Sequence, residues 1–345
     1  MRTRRVRGMA LLVTAATLVL AAGCSSGGGA AGAPSVEKPN LTVAVVPALD
    51  SAGFFVALYG GLFTAQGLNV HFVPATSSET VIAQQAMGKY DITGGNYVSY
   101  VQAQQNWNAG QRPSASNPML AANLDIFAEA SVMEPGAQGL YTMPDSPIRN
   151  LSDLKNHTVA INAPNNILFL LAASVLAEHG ISPKSVHFAN VTFPLMPAKL
   201  KAGAINAAVL PEPFASGAEQ AEGAVPLVDL DQGATTSFPI AGYVVTKQWA
   251  QQNPRTLAAF YKALEEGQQI ADNSRADVEA AMEHLPTPFN VSRETAAVMA
   301  LDSYPVSSGP VGSVDTVRLQ RVVNVMQQFL GFGSFDINSM LMGGG

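Results

Sequence analysis

Cysteine is almost missing from this 345-residue chain: Cys24 is the only one, so no intramolecular disulfide can form. Charge is scarce too, at 13% of residues, and no run of Lys or Arg relieves it. The formal net charge is −6; with Arg2, Arg4, Arg5 and Arg7 set aside as part of a removable leader, 15 basic residues face 25 acidic ones and the balance becomes −10. A surface that tracks phosphates needs clustered positive charge, so no nucleic-acid partner is expected. The five histidines, His71, His157, His179, His187 and His284, show no metal-ligand spacing. A Gly-x-Ser-x-Gly elbow, a phosphate-binding Gly-x-x-x-x-Gly-Lys-Ser/Thr loop and a dinucleotide fingerprint are all missing. No cofactor and no metal are therefore expected. What the chain has in quantity is apolar residues, 48% of the total, with 30 Gly and 22 Pro. That composition excludes a disordered chain, and at roughly 150 residues per domain the length suggests two folded units.

The lone cysteine has a context. Residues 1–23 read as a leader with a basic start, an uncharged apolar stretch from Met9 to Ala22, and small residues ending in Ala21-Ala22-Gly23 before Cys24. The apolar stretch is too short for an ordinary membrane span. It resembles a bacterial lipoprotein signal, which implies that Cys24 carries a lipid and anchors the mature chain to the outer face of the cell membrane. Residues 24–39, rich in Gly, Ala and Ser, are expected to be a flexible tether.

The body alternates strands and helices. Leu41–Val46, Leu68–Val73, Thr158–Ile161, Val186–Val191 and Ala207–Leu210 are short β-branched or apolar runs that read as buried strands. Ile126–Val132, Gly139–Met143 and Pro239–Val245 read as extended, and helices are expected at 248–273, 275–284 and 314–332. Ala86 to Ile92 and Lys201 to Ala207 share one grammar: helix, glycine stop, strand. The fold class expected is α/β, with two lobes, each a mainly parallel sheet flanked by helices. Lobe 1 takes 40–140 and 242–345 and lobe 2 takes 141–241, so the chain crosses a hinge twice.

Four segments in order carry a resemblance to a known family. They are Gly53-Phe54-Phe55-Val56-Ala57-Leu58-Tyr59-Gly60-Gly61-Leu62-Phe63, Gly67-Leu68-Asn69-Val70, Leu151 to Ala160, and Ala198 to Ala208 followed by Pro211-Glu212-Pro213-Phe214. Together they resemble the periplasmic solute-binding proteins of ABC importers for nitrate, sulfonates and thiamine-related pyrimidines. Asn206 stands where those proteins usually carry Asp, and Asn156 where Gly is usual. The resemblance implies the type II periplasmic-binding-protein fold, closure of two lobes on a small solute, and partnership with a permease and an ATPase. A monomer is expected, and a binding protein rather than an enzyme. Enzymes on the same fold that make the thiamine pyrimidine or act in menaquinone synthesis, and a solute sensor for a membrane receptor, are the alternatives.

Turns after buried parallel strands that feed helix N-termini are where such folds hold ligands. Asp50, Ser51, Gly53 and Phe54 lie at the first turn, Ser77 at the second, Asn96 and Tyr97 at the third, and Asn162, Asn165 and Asn166 at the facing one. Each polar residue there either contacts a ligand or caps its helix. Glu212, fixed between two prolines, either contacts the ligand or braces its loop, and Phe214 either stacks on a flat ligand or belongs to the core. These turns contain carboxylates and no Arg or Lys, so the solute expected is neutral or cationic and nitrogen-bearing, pyrimidine-like in outline. Helix N-termini alone also bind oxyanions, which keeps sulfonate and nitrate open.

Overall fold

The structure, a computed structural model, describes residues 35–307 and 309–342. The expected leader and the lipid-bearing Cys24 lie outside the described residues, as does most of the expected tether. The first half gives β1 (Asn40–Val45), α1 (Ala52–Tyr59), α2 (Leu62–Ala65), β2 (Asn69–Pro74), α3 (Ser78–Ala86), β3 (Ile92–Asn96), α4 (Tyr97–Asn108) and β4 (Leu124–Val132). The middle gives β5 (Gln138–Thr142), β6 (Thr158–Ile161), α5 (Ile167–Glu178), β7 (His187–Asn190), α6 (Met196–Lys201), β8 (Ala207–Pro211), α7 (Phe214–Glu222), β9 (Val225–Asp229) and β10 (Pro239–Thr246). The rest is helical: α8 (Lys247–Gln252), α9 (Pro254–Asn273), α10 (Arg275–Glu283), α11 (Arg293–Ala296) and α12 (Thr316–Leu330).

Two five-stranded sheets result, ordered β2-β1-β3-β10-β4 and β7-β6-β8-β5-β9. In each, three strands pair in parallel, and the one antiparallel strand is the one that arrives from the other lobe: β10 in the first and β5 in the second. The chain changes sheets at 133–137 and again at 230–238. Strand pairing puts Gln138–Leu140 in the second sheet and Pro239–Ala241 in the first, so each change comes a few residues before the 140/141 and 241/242 positions expected from the extended runs. The polar and glycine punctuation that marks a lobe boundary in sequence sits beside the strand pairing, not on it.

Local chemistry explains the element ends. Gly88 and Gly203 have φ of 81° and 65°, left-handed values that end α3 and α6 at little cost for glycine. Asn156 has φ 64°, so this position needs the left-handed region and Asn is the side chain that best tolerates it. Asn206 accepts from the Thr158 N–H at 2.9 Å, which needs an acceptor and no charge. The helix expected at 248–273 is two helices, because Pro254 has no N–H to continue α8 and instead opens α9. Glu37 accepts from the N–H groups of Arg255 and Thr256 at 3.2 and 2.8 Å. The tether expected to run free through residue 39 is therefore tied down from Glu37, a carboxylate on the electropositive start of α9.

Packing around the first sheet depends on one close helix crossing. A Cβ on Gly267 would lie 2.4 Å from the Gly53 carbonyl oxygen, and one on Gly53 would lie 2.9 Å from the Gln268 Cα, so α1 and α9 meet backbone to backbone. Phe54 and Phe55 follow Gly53 into an aromatic core with Phe63, Phe72 and Phe260. α12 packs on α4 of lobe 1 and α5 of lobe 2. Its Arg321 donates to the carbonyls of Ala234, Thr236 and Ser237 in the second crossing. Among the described residues, no helix is long and apolar enough to cross a membrane, and no group of His, Cys, Asp and Glu could hold a metal ion.

Candidate functional site

The C-terminal ends of β1, β3, β6 and β8 face each other across a cleft between the lobes. Lobe 1 contributes Val46, Asp50, Ser51, Ser78, Gly95, Asn96 and Ala241; lobe 2 contributes Asn162, Asn166, Ile167, Leu168, Phe193 and Pro211. Its cavity is small, about 30 Å³, room for roughly two waters at about 10–15 Å³ each. Hydrogen bonds between the lobes close it, three of them at its mouth. Asn162 Nδ2 donates to the Thr76 carbonyl at 3.2 Å, Gln102 Nε2 to the Asn165 carbonyl at 2.8 Å, and the Leu49 N–H to the Glu212 carbonyl at 2.9 Å. The state described is therefore closed.

The asparagines on the walls are ordered by their helices. Asn96 Oδ1 caps α4 by accepting from Ser99 N–H at 2.9 Å, while its Nδ2 and its backbone N–H both donate to Ser78 Oγ at 3.0 Å. Asn166 Oδ1 caps α5 through Leu168 and Phe169, and its Nδ2 donates to Asn162 Oδ1 at 2.6 Å. The N-termini of α4 and α5 are thus already partnered by side-chain oxygens, whereas α1 and α3, which bring Ser51 and Ser78 to the cleft, carry no side-chain cap.

Asp50 supplies the charge. Burial pushes its carboxyl up to about 6, against hydrogen bonds with Asp302 and with Gln138, whose Nε2 donates to Oδ1 at 3.2 Å. Burial and the neighbouring Asp50 hold Asp302 well above the usual carboxylate range. Two carboxyl groups in contact cannot both ionise cheaply, so the pair carries one negative charge near neutrality. The buried Tyr243 hydroxyl lies beside Ser51 and Asp50. Among the described residues, no Lys, Arg or His lines the cleft.

Of the residues expected from sequence, Asp50, Ser51, Asn96, Asn162 and Asn166 come together on the cleft walls. The others do not line it, and each has a physical reason. Gly53 is consumed by the α1–α9 crossing and Phe54 by the aromatic core. Ser77 precedes α3 in an extended conformation, and its neighbour Ser78 faces the cleft instead. Tyr97 is buried against Gly242. Asn165 is exposed, with φ 56°, and offers its carbonyl to Gln102. Glu212 has both carboxylate oxygens engaged: Oε1 accepts from Ser216 Oγ and Ala300 N–H, and Oε2 from Ser216 N–H. It braces the loop ahead of α7. Phe214 sits behind Phe193, their rings stacked at 4.9 Å with 19° between planes. Sequence reasoning missed Phe193 and Asp302. Asp302 lies 252 positions from Asp50, and nothing in its local sequence, Leu301-Asp302-Ser303-Tyr304, marks it as a partner.

Comparison with known proteins agrees with this architecture. A nitrate/nitrite-binding protein, NrtA, of a Nostoc species is 24% identical over 267 residues, 71% of this chain and 57% of that protein, so the match spans little over half of the relative's length. The periplasmic nitrate-binding protein of Synechocystis superposes with a TM-score of 0.72 at 15% identity, covering 89% of this chain and 85% of that one. The alkanesulfonate-binding protein of Xanthomonas axonopodis, solved with MOPS bound, gives 0.66 at 16% identity, with 86% and 94% covered. These structures share the two-lobed periplasmic-binding-protein fold. Residues 34–285 match the model of the NMT1-like family, and the chain belongs to that family.

Proposed function

We propose that this chain is the solute-binding component of an ABC importer, held at the extracytoplasmic face of a bacterial membrane through a lipid on Cys24. It captures a small neutral or cationic, nitrogen-bearing solute between its lobes and presents it to a permease and its ATPase. The observation that carries the reading is the cleft itself: a closed, two-walled site whose one charged group, among the described residues that line it, is the Asp50 carboxylate. The relatives named for nitrate or alkanesulfonate support the transport role. Their ligands are oxyanions, and the cleft's charge supports a different solute class here. An oxyanion of that kind would meet Asp50 with no guanidinium or ammonium to offset it. An amino or amidine group instead donates to Asp50 and finds further acceptor capacity in the Ser51 hydroxyl and in Asn162 Oδ1, which accepts one hydrogen bond from Asn166.

A thermal-shift panel on the chain from residue 36 onward tests this. Amines, amidines and aminopyrimidines are compared with nitrate, taurine and alkanesulfonates at fixed pH and ionic strength. A ligand at about 1,000 times its Kd stabilises by roughly 4 kcal/mol. A shift with nitrogenous solutes that is lost in Asp50→Asn is the expected result; a shift confined to sulfonates or nitrate would overturn the charge assignment.

A further inference from the structure

Ser78 carries a hydroxyl that the protein does not fully use. Its Oγ accepts twice from Asn96, from the backbone N–H and from Nδ2, each at 3.0 Å. A hydroxyl has two lone pairs and one hydrogen, so both acceptor positions are filled and only the O–H is left to give. Among the described residues, no side chain or carbonyl accepts that hydrogen, while Asn96 supplies both bonds the oxygen receives. Ser78 is 2% exposed and lines the cleft, where a buried donor without a partner costs free energy. Gly95 leaves room for this arrangement: a Cβ on it would lie 2.2 Å from Ser78 Oγ. Ser78 also opens α3, which carries no side-chain cap, so the electropositive start of that helix lies at the same place.

The rest of the cleft asks for the opposite kind of group. Ionised Asp50 only accepts, and Asn162 Oδ1, with one bond from Asn166, keeps a second lone pair. A nitrate-like anion would serve Ser78 and collide with the charge of Asp50. An ammonium or guanidinium would serve Asp50 and leave Ser78 without an acceptor. A group with both kinds of atom side by side serves the two together. The closed cavity of about 30 Å³ holds roughly two waters, so that group is compact. Phe193, backed by Phe214 with ring centroids 4.9 Å apart, gives the space a flat apolar wall.

We propose that the cleft recognises a urea or primary carboxamide group, whose carbonyl oxygen accepts from the Ser78 hydroxyl while its N–H groups donate to Asp50 and to Asn162 Oδ1. The inference rests on the solute-binding reading above and deepens it: from the wider nitrogen-bearing class it selects a neutral, planar group with an acceptor beside its donors. An amine still engages Asp50 and forgoes the bond to Ser78.

Urea, guanidinium and nitrate make the test, because all three are small planar molecules of one outline that differ in what they offer: donors with an acceptor, donors alone, acceptors alone. Their affinities are measured by calorimetry at neutral pH and one ionic strength, well below denaturing concentrations, on wild type, Ser78→Ala and Asp50→Asn. Urea is expected to bind the wild type and nitrate is not. The ratio of urea to guanidinium affinity is expected to fall roughly three- to tenfold in Ser78→Ala, which removes the donor that urea alone uses. The ratio is expected to rise in Asp50→Asn, which removes the charge that guanidinium needs and keeps an oxygen that accepts from an amide. Melting curves check that both variants fold; if Ser78→Ala does not, the wild-type comparison and Asp50→Asn decide.

Guanidinium binding without urea overturns the urea-type group and leaves the Asp50 reading in place. A ratio that Ser78→Ala does not lower, or that Asp50→Asn does not raise, overturns the roles given to those two side chains. Nitrate binding without the other two overturns this inference together with the charge assigned to the cleft. Silence from all three overturns the compact urea-type group alone, since the wider thermal-shift panel tests the solute-binding reading independently.

Discussion

At Asp50 binding and stability pull in opposite directions. Burial lifts its carboxyl from the ordinary 3.8 to about 6, so the folded chain holds a proton that the unfolded chain has already released between those two values. A raised carboxyl pKa contributes stability that is fully present below the unfolded value and lost as pH rises through the folded one. Asp50→Asn is therefore expected to raise the Tm of the ligand-free protein at about pH 7.5, by on the order of 1 kcal/mol or roughly 2 °C. The gain should vanish below about pH 4, where wild-type Asp50 is protonated as well. The same substitution is expected to weaken an amine ligand at least about tenfold, because it removes a buried charge partner. Calorimetry and melting curves on one preparation read both effects; a variant that lost stability at neutral pH would contradict the buried-charge account. The sequence showed Asp50 because it stands where a strand meets a helix. It could not show Asp302, since nothing local links two carboxyls 252 residues apart. For the asparagines the two readings left open prove compatible: Asn96 and Asn166 cap their helices and also line the cleft.

Among elements, the α1–α9 crossing is where backbone proximity matters most. Gly267→Ala places a methyl 2.4 Å from the Gly53 carbonyl oxygen and 2.7 Å from Ala57 Cβ. Neither neighbour is the end of a flexible side chain, so the helices must separate. The expected cost is about 1–3 kcal/mol, a Tm lower by roughly 2–10 °C, read by thermal melting. Gly217→Ala, on a helix with open space around it, is expected to be neutral or mildly stabilising in the same assay. A Gly267→Ala protein that melted with the wild type would contradict the close crossing. The strand pattern was legible because β1, β6 and β8 are short buried runs between glycine and asparagine punctuation. Less legible was β9 (Val225–Asp229), a half-exposed edge strand containing Pro226 whose pairing is set by β5, far away in sequence. The break between α8 and α9 was written in Pro254, which stands in the polar stretch Gln251-Gln252-Asn253-Pro254-Arg255-Thr256.

At the scale of the whole molecule, closure is held from two sides. Asn162 and Gln102 bond across the cleft mouth, and Arg321 of α12 binds three carbonyls of the second crossing, with its guanidinium 5.5 Å from the Phe238 ring centroid. Arg321→Ala is expected to speed amide exchange selectively in residues 233–238 and to weaken ligand binding several-fold, since a looser crossing populates open forms that ligand must first close. Exchange unchanged there would show that α12 does not govern the hinge. The two-lobed plan itself was readable because each lobe repeats the same helix, glycine stop and strand. The closed arrangement was not, because it depends on single bonds between residues that only the assembled sheets bring together.

The most direct test of the account is the pH dependence of binding for one alkylamine, measured by calorimetry at about pH 7.5 and about pH 5, a range over which the amine keeps its charge. If the ligand needs ionised Asp50, and Asp50 titrates near 6 in the free protein, affinity should be about tenfold weaker at the lower pH, and that dependence should disappear in Asp50→Asn. Binding that is unchanged or tighter at about pH 5, or nitrate binding that strengthens there while the amine stays silent, would contradict a carboxylate-centred site.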